Sequence, residues 1–495
     1  MNPVNIKNGS RYEQSGWIRM SLKGNAKERG YAHGLLVSKD LTRIFSMIDF
    51  NMLYSYGYTR EFFSDVISAM FKPQILANFP EYYDEMESIA MGAKDGGAKV
   101  SFDDIIMWNC YSSIPYVIGA IGPFVLKSST LSKKYGNMFS PENTSMIKGS
   151  GEGGGGGGGG GGSGSRGDHC TAFIAVGDYT KDGKIVCAHN SFDNFIDGQN
   201  FNVMMDISPS EKHSNSFLMQ TAPGCISSCT DYYVTSNGLI CTETTIGGFS
   251  KFILKDPICC RIRKAMQYSK SLDDCVIFLT KNNGGDYANS WLIGDTNTNT
   301  IMRIELGLMY VNIEKKTNGY FIGYNAPEDP RIRNLECVNT GYEDIRRHQG
   351  ARRVRLTELM NEYKGKLDLG IAKKIISDHY DVYLNKINPS SRTCCGHYEL
   401  DNRAYMSQAD RPKPYQPRGA LDGIVCDTTL AKKMSMISRW GTSCGTPFNK
   451  MQFFKKHIQW KDQEPYVLDR PSQPWTTFGI NKKKSQTRKN RKGVG

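Results

Sequence analysis

Cys170 stands where a run of ten glycines, Gly153 to Gly162, gives way through Asp168-His169 to the apolar stretch Thr171-Ala172-Phe173-Ile174-Ala175-Val176. A cysteine at the join of a tether and a strand is well placed to become a new N-terminus. Cutting the His169–Cys170 bond would set a free α-amine beside the Cys170 thiol. A thiol titrates near about 8.5 and an α-amine near about 7.7–8.0, so the amine can take the thiol proton at neutral pH without a histidine. In peptide linkage the same nitrogen is an amide and no base, so one cleavage both exposes and activates the nucleophile. The plainer reading is that Cys170 is one of 14 cysteines and packs in a strand.

The elements that must hold this residue follow from periodicity. Thr171–Tyr179 and Lys184–His189 read as two strands joined by a turn containing Asp182-Gly183, a strong hairpin signal. Further strands are expected at 201–207, 217–221, 232–234 and 239–246, then at 290–294, 300–306 and 320–324. Helices are expected at 257–269, 272–281, 350–363 and 369–379. This order predicts an α+β fold of antiparallel sheets covered by helices. Residues 1–127 read as mainly helical after a short β start at Trp17–Leu22. Ser101-Phe102-Asp103-Asp104 has the form of a capping box, and Pro80 opens a helix with acids in its first turn. Residues 128–169 read as a flexible, glycine-rich linker ending at the cleavage site, 170–480 as the catalytic portion, and 481–495 as a basic disordered tail.

Composition sets further bounds. No stretch reaches the roughly 20 apolar residues that span a bilayer; Ile114–Leu126 is too short and carries Pro115 and Pro123, which suits buried core or the wall of a substrate channel. The first residues hold no apolar run behind a basic start, so a cytoplasmic or otherwise intracellular setting is expected. The formal charge is +13, and seven of the positive residues and no acid fall in the last fifteen positions. Such a block suits a solvated tail or a weak, salt-sensitive anionic partner. The vicinal pairs Cys259-Cys260 and Cys394-Cys395 form no disulfide framework. Cys394, Cys395 and His397 are close in sequence, but no fourth ligand follows nearby, so no metal and no cofactor is assigned.

Several motifs in order resemble one family. Cys170-Thr171-Ala172-Phe173-Ile174, Ala188-His189-Asn190-Ser191-Phe192-Asp193-Asn194, Thr242-Glu243-Thr244-Thr245, Asn282 to Trp291 and Gly419-Ala420-Leu421-Asp422-Gly423 resemble the phospholipase B-like proteins and their relatives, the self-processing acyltransferases of the acyl-coenzyme A:6-aminopenicillanic acid type. Upstream, Glu28-Arg29-Gly30 resembles the Arg-Gly motif of the acyltransferase pro-segment. The resemblance implies a four-layer αββα N-terminal-nucleophile hydrolase fold, autoproteolysis before Cys170, and fragments that stay associated. It implies a thioester mechanism on an acyl amide or ester, with Asn289 as an oxyanion donor. His189 and Asp193 follow as site residues, Asp193 as a holder of the new ammonium group. Thr244 follows as a further member. Arg353, by its fixed fork of donors, suits a carboxylate or the nucleophile's surroundings, and its arginine-rich helix also reads as a solvated face. Phe192 departs from the family's tryptophan and removes an indole donor. The family is typically secretory or lysosomal, which the N-terminus here does not match.

Three functions follow as expectations. The first is a self-processing N-terminal-cysteine hydrolase or acyltransferase acting on small acyl amides. The second is a phospholipase B-like lipid deacylase. The third, of another class, is an inactive binding protein that uses the basic tail on nucleic acid.

Overall fold

The first strands do not form a segment apart from the rest of the chain. In a computed structural model describing residues 3–140, 170–403 and 414–480, β1 (Val4–Ile6), β2 (Gly9–Gln14) and β3 (Trp17–Gly24) are built into the larger of two sheets. The cleavage residue His169, the glycine run and the basic tail lie outside the described residues.

Helices α1 (Ala26–Leu36), α2 (Ser38–Tyr56), α3 (Arg60–Asn78), α4 (Pro80–Asp95), α5 (Phe102–Asn109), α6 (Ile114–Lys127) and α7 (Ser129–Tyr135) come next. The expected capping box at Ser101 and Asp104 caps α5, and Pro80 opens α4. The linker does not begin at 128 as expected. Ser128 caps α7, Tyr135 packs edge-on to Phe62 at 5.1 Å, and Lys134 pairs with Glu61 and Asp65, so a polar stretch is held as a helix by tertiary contacts. Helices α1 and α4 touch almost backbone to backbone. A Cβ at Gly34 would lie 2.0 Å from the Ile89 carbonyl, and one at Gly30 2.3 Å from the Glu85 carbonyl, so only glycine fits at either place.

After the linker come β4 (Cys170–Gly177), β5 (Gly183–Asn194), β6 (Val203–Pro209), β7 (Phe217–Thr221), β8 (Tyr233–Thr235) and β9 (Leu239–Thr245), then α8 (Ile258–Tyr268) and α9 (Leu272–Thr280). Strands β10 (Asn289–Asp295), β11 (Thr300–Leu306), β12 (Val311–Lys316) and β13 (Gly319–Gly323) follow, with α10 (His348–Glu362) and α11 (Leu369–Ile376) after them. The chain closes with the short pair β14 (Tyr380–Asp381) and β15 (Lys386–Ile387), then β16 (Arg418–Ala420), β17 (Asp422–Asp427), β18 (Ser435–Trp440) and β19 (Thr476–Gly479).

The ten-stranded sheet runs β1-β2-β3-β6-β7-β8-β9-β10-β11-β12, and the seven-stranded sheet runs β13-β4-β5-β17-β18-β19 with β16 on β5. All pairings are antiparallel except β3 with β6. Strand β4 lies against β9, β10 and β11 across the gap between the sheets. Helices α1, α8 and α9 cover the outer face of the large sheet; α10 and α11 cover the small one. The result is four layers, αββα, the arrangement the resemblance implies.

This layering explains the run after Cys170. Ala172, Ile174 and Val176 enter the core between the sheets, and Phe173 and Ala175 enter the core under α10 and α11. A strand buried on both faces reads as continuously apolar. The N-terminal strands join the same body: Trp17 on β3 is fully buried, edge-on to Trp440 of β18 at 5.1 Å and to Phe478 of β19 at 6.0 Å. Residues 3–127 are therefore packed as part of the two-sheet body. Among the described residues no single helix is long and apolar enough to cross a membrane.

Candidate active site

Cys170 heads β4 opposite Ser191 of β5, with its side chain on the face between the sheets. Its backbone is held at both ends. The nitrogen donates to Asn325 Oδ1 at 3.3 Å, and the carbonyl accepts from Arg352 Nη1. Arg352 comes from α10, is fully buried, and also donates to Thr171 Oγ1 at 3.0 Å and Asn325 Oδ1 at 2.8 Å. Asn325 follows β13 in the left-handed region at φ +67°, which asparagine tolerates better than most side chains, and ties back to the Thr245 carbonyl at 2.8 Å.

Carboxyls surround the thiol. Cys170 Sγ lies 3.9 Å from Glu243 Oε1 on β9. Asn289 Nδ2 donates to Glu243 Oε2 at 2.6 Å, and Tyr287 Oη is 3.3 Å from Glu243 Oε1 and 3.4 Å from Asp231 Oδ2. Burial pushes Asp231 up to about 7, and burial with the neighbouring Asp231 pushes Glu243 well above the carboxylate range. Two buried carboxyls so placed hold a proton between them at neutral pH. Burial, then Glu243, raises the Cys170 side chain too, so with its nitrogen in peptide linkage it is held as a thiol.

A cavity opens at Cys170. Its walls come from β5 (Ser191 to Asn194), from Asn51 and Tyr56 of α2, from Trp108 of α5, and from Tyr111, Asp197, Asp231 and Tyr287. Asp197 accepts from Asn51 Nδ2 at 2.7 Å and Tyr111 Oη at 2.8 Å, while burial and the neighbouring Asp193 push it up to about 7. Aromatic and acidic groups are interleaved on its wall, Tyr111 on Asp197 and Tyr287 beside Asp231, and residues before position 141 supply part of it.

The structure brings some of the expected residues to Cys170 and leaves others away. Asn289 reaches it through Glu243. Asp193 is on the cavity wall, accepting from the Asn194 backbone at 2.7 Å and paired with Arg418 at 3.4 Å, and it is Asn325 that faces the Cys170 nitrogen. His189 sits two register pairs further along β5, opposite Ala172, and burial lowers it to about 3, so its imidazole is neutral. Thr244 is buried against β13, where a Cβ at Gly323 would lie 2.4 Å from its methyl group. Arg353 points away: its Nε donates to the Tyr342 carbonyl at 3.0 Å and its guanidinium lies over the Tyr342 ring. The arginine at Cys170 is its neighbour Arg352.

Five site residues escaped the sequence reading: Glu243, Asp231, Tyr287, Asn325 and Arg352. A signal existed for three of them. Tyr287 lies inside the Asn282–Trp291 motif. Glu243 lies inside the Thr242–Thr245 motif, and Arg352 falls four residues before Leu356 on the stripe completed by Leu359 and Met360, the face of α10 turned to the sheet. Cys394, Cys395 and His397 lie behind β5, where the Asn190 amide donates to the Cys394 carbonyl at 3.1 Å.

A sequence model of a family described as Phospholipase B matches residues 81–468. Phospholipase B of Crotalus adamanteus is 27% identical over 240 residues, covering 43% of this chain and 40% of that protein. Phospholipase B-like 1 of Homo sapiens is 24% identical over 328 residues, covering 61% of this chain and 57% of that protein. The chain spans about half the length of the curated relatives it matches. Among solved structures, a variant of conjugated bile acid hydrolase from Clostridium perfringens is 12% identical, covers 54% of this chain and 89% of that one, and has a TM-score of 0.30.

Proposed function

The chain belongs to the phospholipase B family, and from that premise we propose that it is a self-processing hydrolase whose nucleophile is Cys170. The observation that carries the reading is the position of Cys170: it heads a strand, opens on a cavity, has its backbone nitrogen on a side-chain acceptor, and has its thiol beside a buried carboxyl pair.

Processing begins with attack of Cys170 Sγ on the His169 carbonyl carbon. The His169–Cys170 C–N bond breaks, the nitrogen takes up a proton to become the α-amine, and His169 is carried as a thioester. Water hydrolyses that ester, releasing the His169 carboxylate and restoring the thiol. The new amine keeps Asn325 Oδ1 as its acceptor, and the nearby Arg352 charge favours its neutral, basic form. In turnover the amine takes the thiol proton, the thiolate attacks an acyl carbonyl, the amine or alcohol leaves with a proton, and water or an acceptor amine resolves the thioester. One of the two amide protons of Asn289 is used on Glu243, and the second serves the oxyanion.

The aromatic rings in the lining suit an acyl chain, and the hydrogen-bonding carboxyls among them suit the polar amide of a small acyl compound. Small N-acyl compounds therefore head the substrate classes, with hydrolysis or transfer as the outcome. The family match favours a second reading, deacylation of a lipid ester at the same thiol. In either case the fragments stay together after cleavage, because β3 is paired inside the large sheet and α2 and α5 wall the cavity.

Intact mass and N-terminal sequencing of the purified chain beside Cys170→Ala test the reading. The expected result is a fragment beginning Cys170-Thr171-Ala172 from the parent and an uncut variant, with N-acyl amides and lysophospholipids then compared as substrates. If both chains stay whole while folded, the inactive binding protein becomes the better description.

A further inference from the structure

Behind β5, on the side away from Cys170, four side chains from three loops converge. His379 follows α11, Cys395 and His397 lie between β15 and β16, and Cys444 follows β18; one ligand atom from each lies within 4.8 Å of every other. We propose that His379, Cys395, His397 and Cys444 bind one zinc ion, which ties these three loops to the back of the strand that pairs with the nucleophile.

The spacings are those of a tetrahedral shell. Zinc bonds of about 2.0–2.1 Å to nitrogen and about 2.3 Å to sulfur set N···N near 3.3 Å and N···S near 3.5 Å at tetrahedral angles. His397 Nε2 is 3.1 Å from His379 Nε2, 3.4 Å from Cys395 Sγ and 3.5 Å from Cys444 Sγ. One imidazole nitrogen has either one proton or one lone pair. It cannot satisfy three such neighbours by hydrogen bonding, whereas a shared cation bonded to all four atoms accounts for every one of these contacts.

The surroundings fit the same ion. His397 Nδ1 lies 2.7 Å from Glu399 Oε1, the carboxylate partner that orients a ligating imidazole and directs its other nitrogen at a metal. The Thr446 backbone donates to Cys444 Sγ at 3.4 Å, a contact that suits a thiolate. Cys395 and His397 are fully buried while His379 and Cys444 are partly exposed, which leaves an entry path. Two sulfurs and two nitrogens select zinc among the common divalent ions, and four protein ligands close the shell, so the ion is structural rather than catalytic. Its anchor to the sheet is Asn190 of β5, whose amide donates to Ser443 Oγ and the Cys394 carbonyl, both at 3.1 Å.

The test is metal analysis of the untagged full-length chain, purified without chelator, beside Cys444→Ser and His379→Gln. The expected result is close to one zinc per chain, with zinc affinity falling in each variant by more than the factor of about 10–100 that loss of an outer-shell partner costs. Replacement of the metal by cobalt(II) in the parent should give the visible and thiolate-to-cobalt bands of a tetrahedral site, a readout that holds even where a variant fails to fold. Three results would overturn the site: a parent that neither contains nor takes up zinc with its thiols free, zinc held equally by parent and folded variants, or a mass and thiol count showing a Cys395–Cys444 disulfide.

Discussion

Two buried charged clusters, one at Arg29 and one at Cys170, are built on opposite rules. Arg29 is fully buried, with Nε on Glu85 at 2.7 Å, Nη1 on both Glu211 oxygens at 2.8 and 2.7 Å, and Nη2 on Glu81 at 2.6 Å. Arg263 adds a second guanidinium to Glu85 at 3.0 Å. Burial pushes Glu81 up, but the contacts from Tyr268, Arg29 and Gln267 outweigh it and leave its carboxyl below the ordinary range. At Cys170 the sign is reversed. Asp231 and Glu243 have each other, Tyr287 and Asn289, and among the described residues neither has a cation in ion-pair range, so burial prevails and both are raised. The first cluster is satisfied and holds helices to the sheet. The second stores protons next to a thiol, the kind of imbalance that marks reactive sites.

The sharpest break in this contrast comes from Arg29→Ala, which removes the cation shared by three carboxylates and leaves the buried Glu85 with Arg263 alone. In a Cys170→Ala background, which the proposed processing would leave uncut, urea unfolding should reveal a loss of about 3–5 kcal/mol. A loss below about 1 kcal/mol would make the Arg29 cluster no stronger than a surface pair. Asn289→Ala should behave the other way round. If its second amide proton serves the oxyanion, kcat drops about 10²–10³-fold, or about 3–4 kcal/mol of barrier, while unfolding moves little. Loss of stability with kcat retained would reduce Asn289 to a partner of Glu243.

Local signals carried the sequence reading, and its gaps are long-range. The Asp182-Gly183 turn and the apolar run after Cys170 fixed the β4–β5 hairpin, and the Ser101 and Asp104 pair fixed the start of α5, because each is decided within a few residues. Nothing near Trp17 announces that β3 pairs in parallel with β6, some 185 positions on, and the helical composition of residues 26–127 hides that this stretch walls the cavity. Within the site, the resemblance led to Thr244 and Arg353, each one residue from the side chain that reaches Cys170. A strand alternates faces at every residue and a helix turns 100° per residue, so an offset of one is enough to exchange Glu243 or Arg352 for a packing neighbour. Cys395 and His397 stood out in the sequence, but His379 lies sixteen positions before Cys395 and Cys444 lies 47 after His397, and only the fold closes that shell.

The finest distinction between the clusters is in their pH dependence. Asp231 is pushed up to about 7 from an ordinary 3.8 in the unfolded chain, so between those values the native state binds more protons than the unfolded one. Stability then falls as pH rises through this window, and the contribution present at low pH is gone above about 7. Burial also raises Asp197 to about 7 and Asp422 to about 6, so the slope of the parent belongs to several groups at once. The comparison that isolates one of them is Cys170→Ala against Cys170→Ala with Asp231→Asn, unfolded in urea at a series of pH values from 4 to 8. The asparagine keeps the shape without a charge to bury, so the two curves should lie closest near pH 4 and separate towards pH 8, with the Asn variant gaining about 1.4 kcal/mol for each pH unit across the window. An Arg29-type network would give the opposite trend, since a carboxylate held ionised by cations loses its contribution as pH falls. Parallel curves would mean that Asp231 carries no extra proton in the folded chain, and the imbalance that separates the Cys170 cluster from the Arg29 cluster would then rest on Glu243 alone.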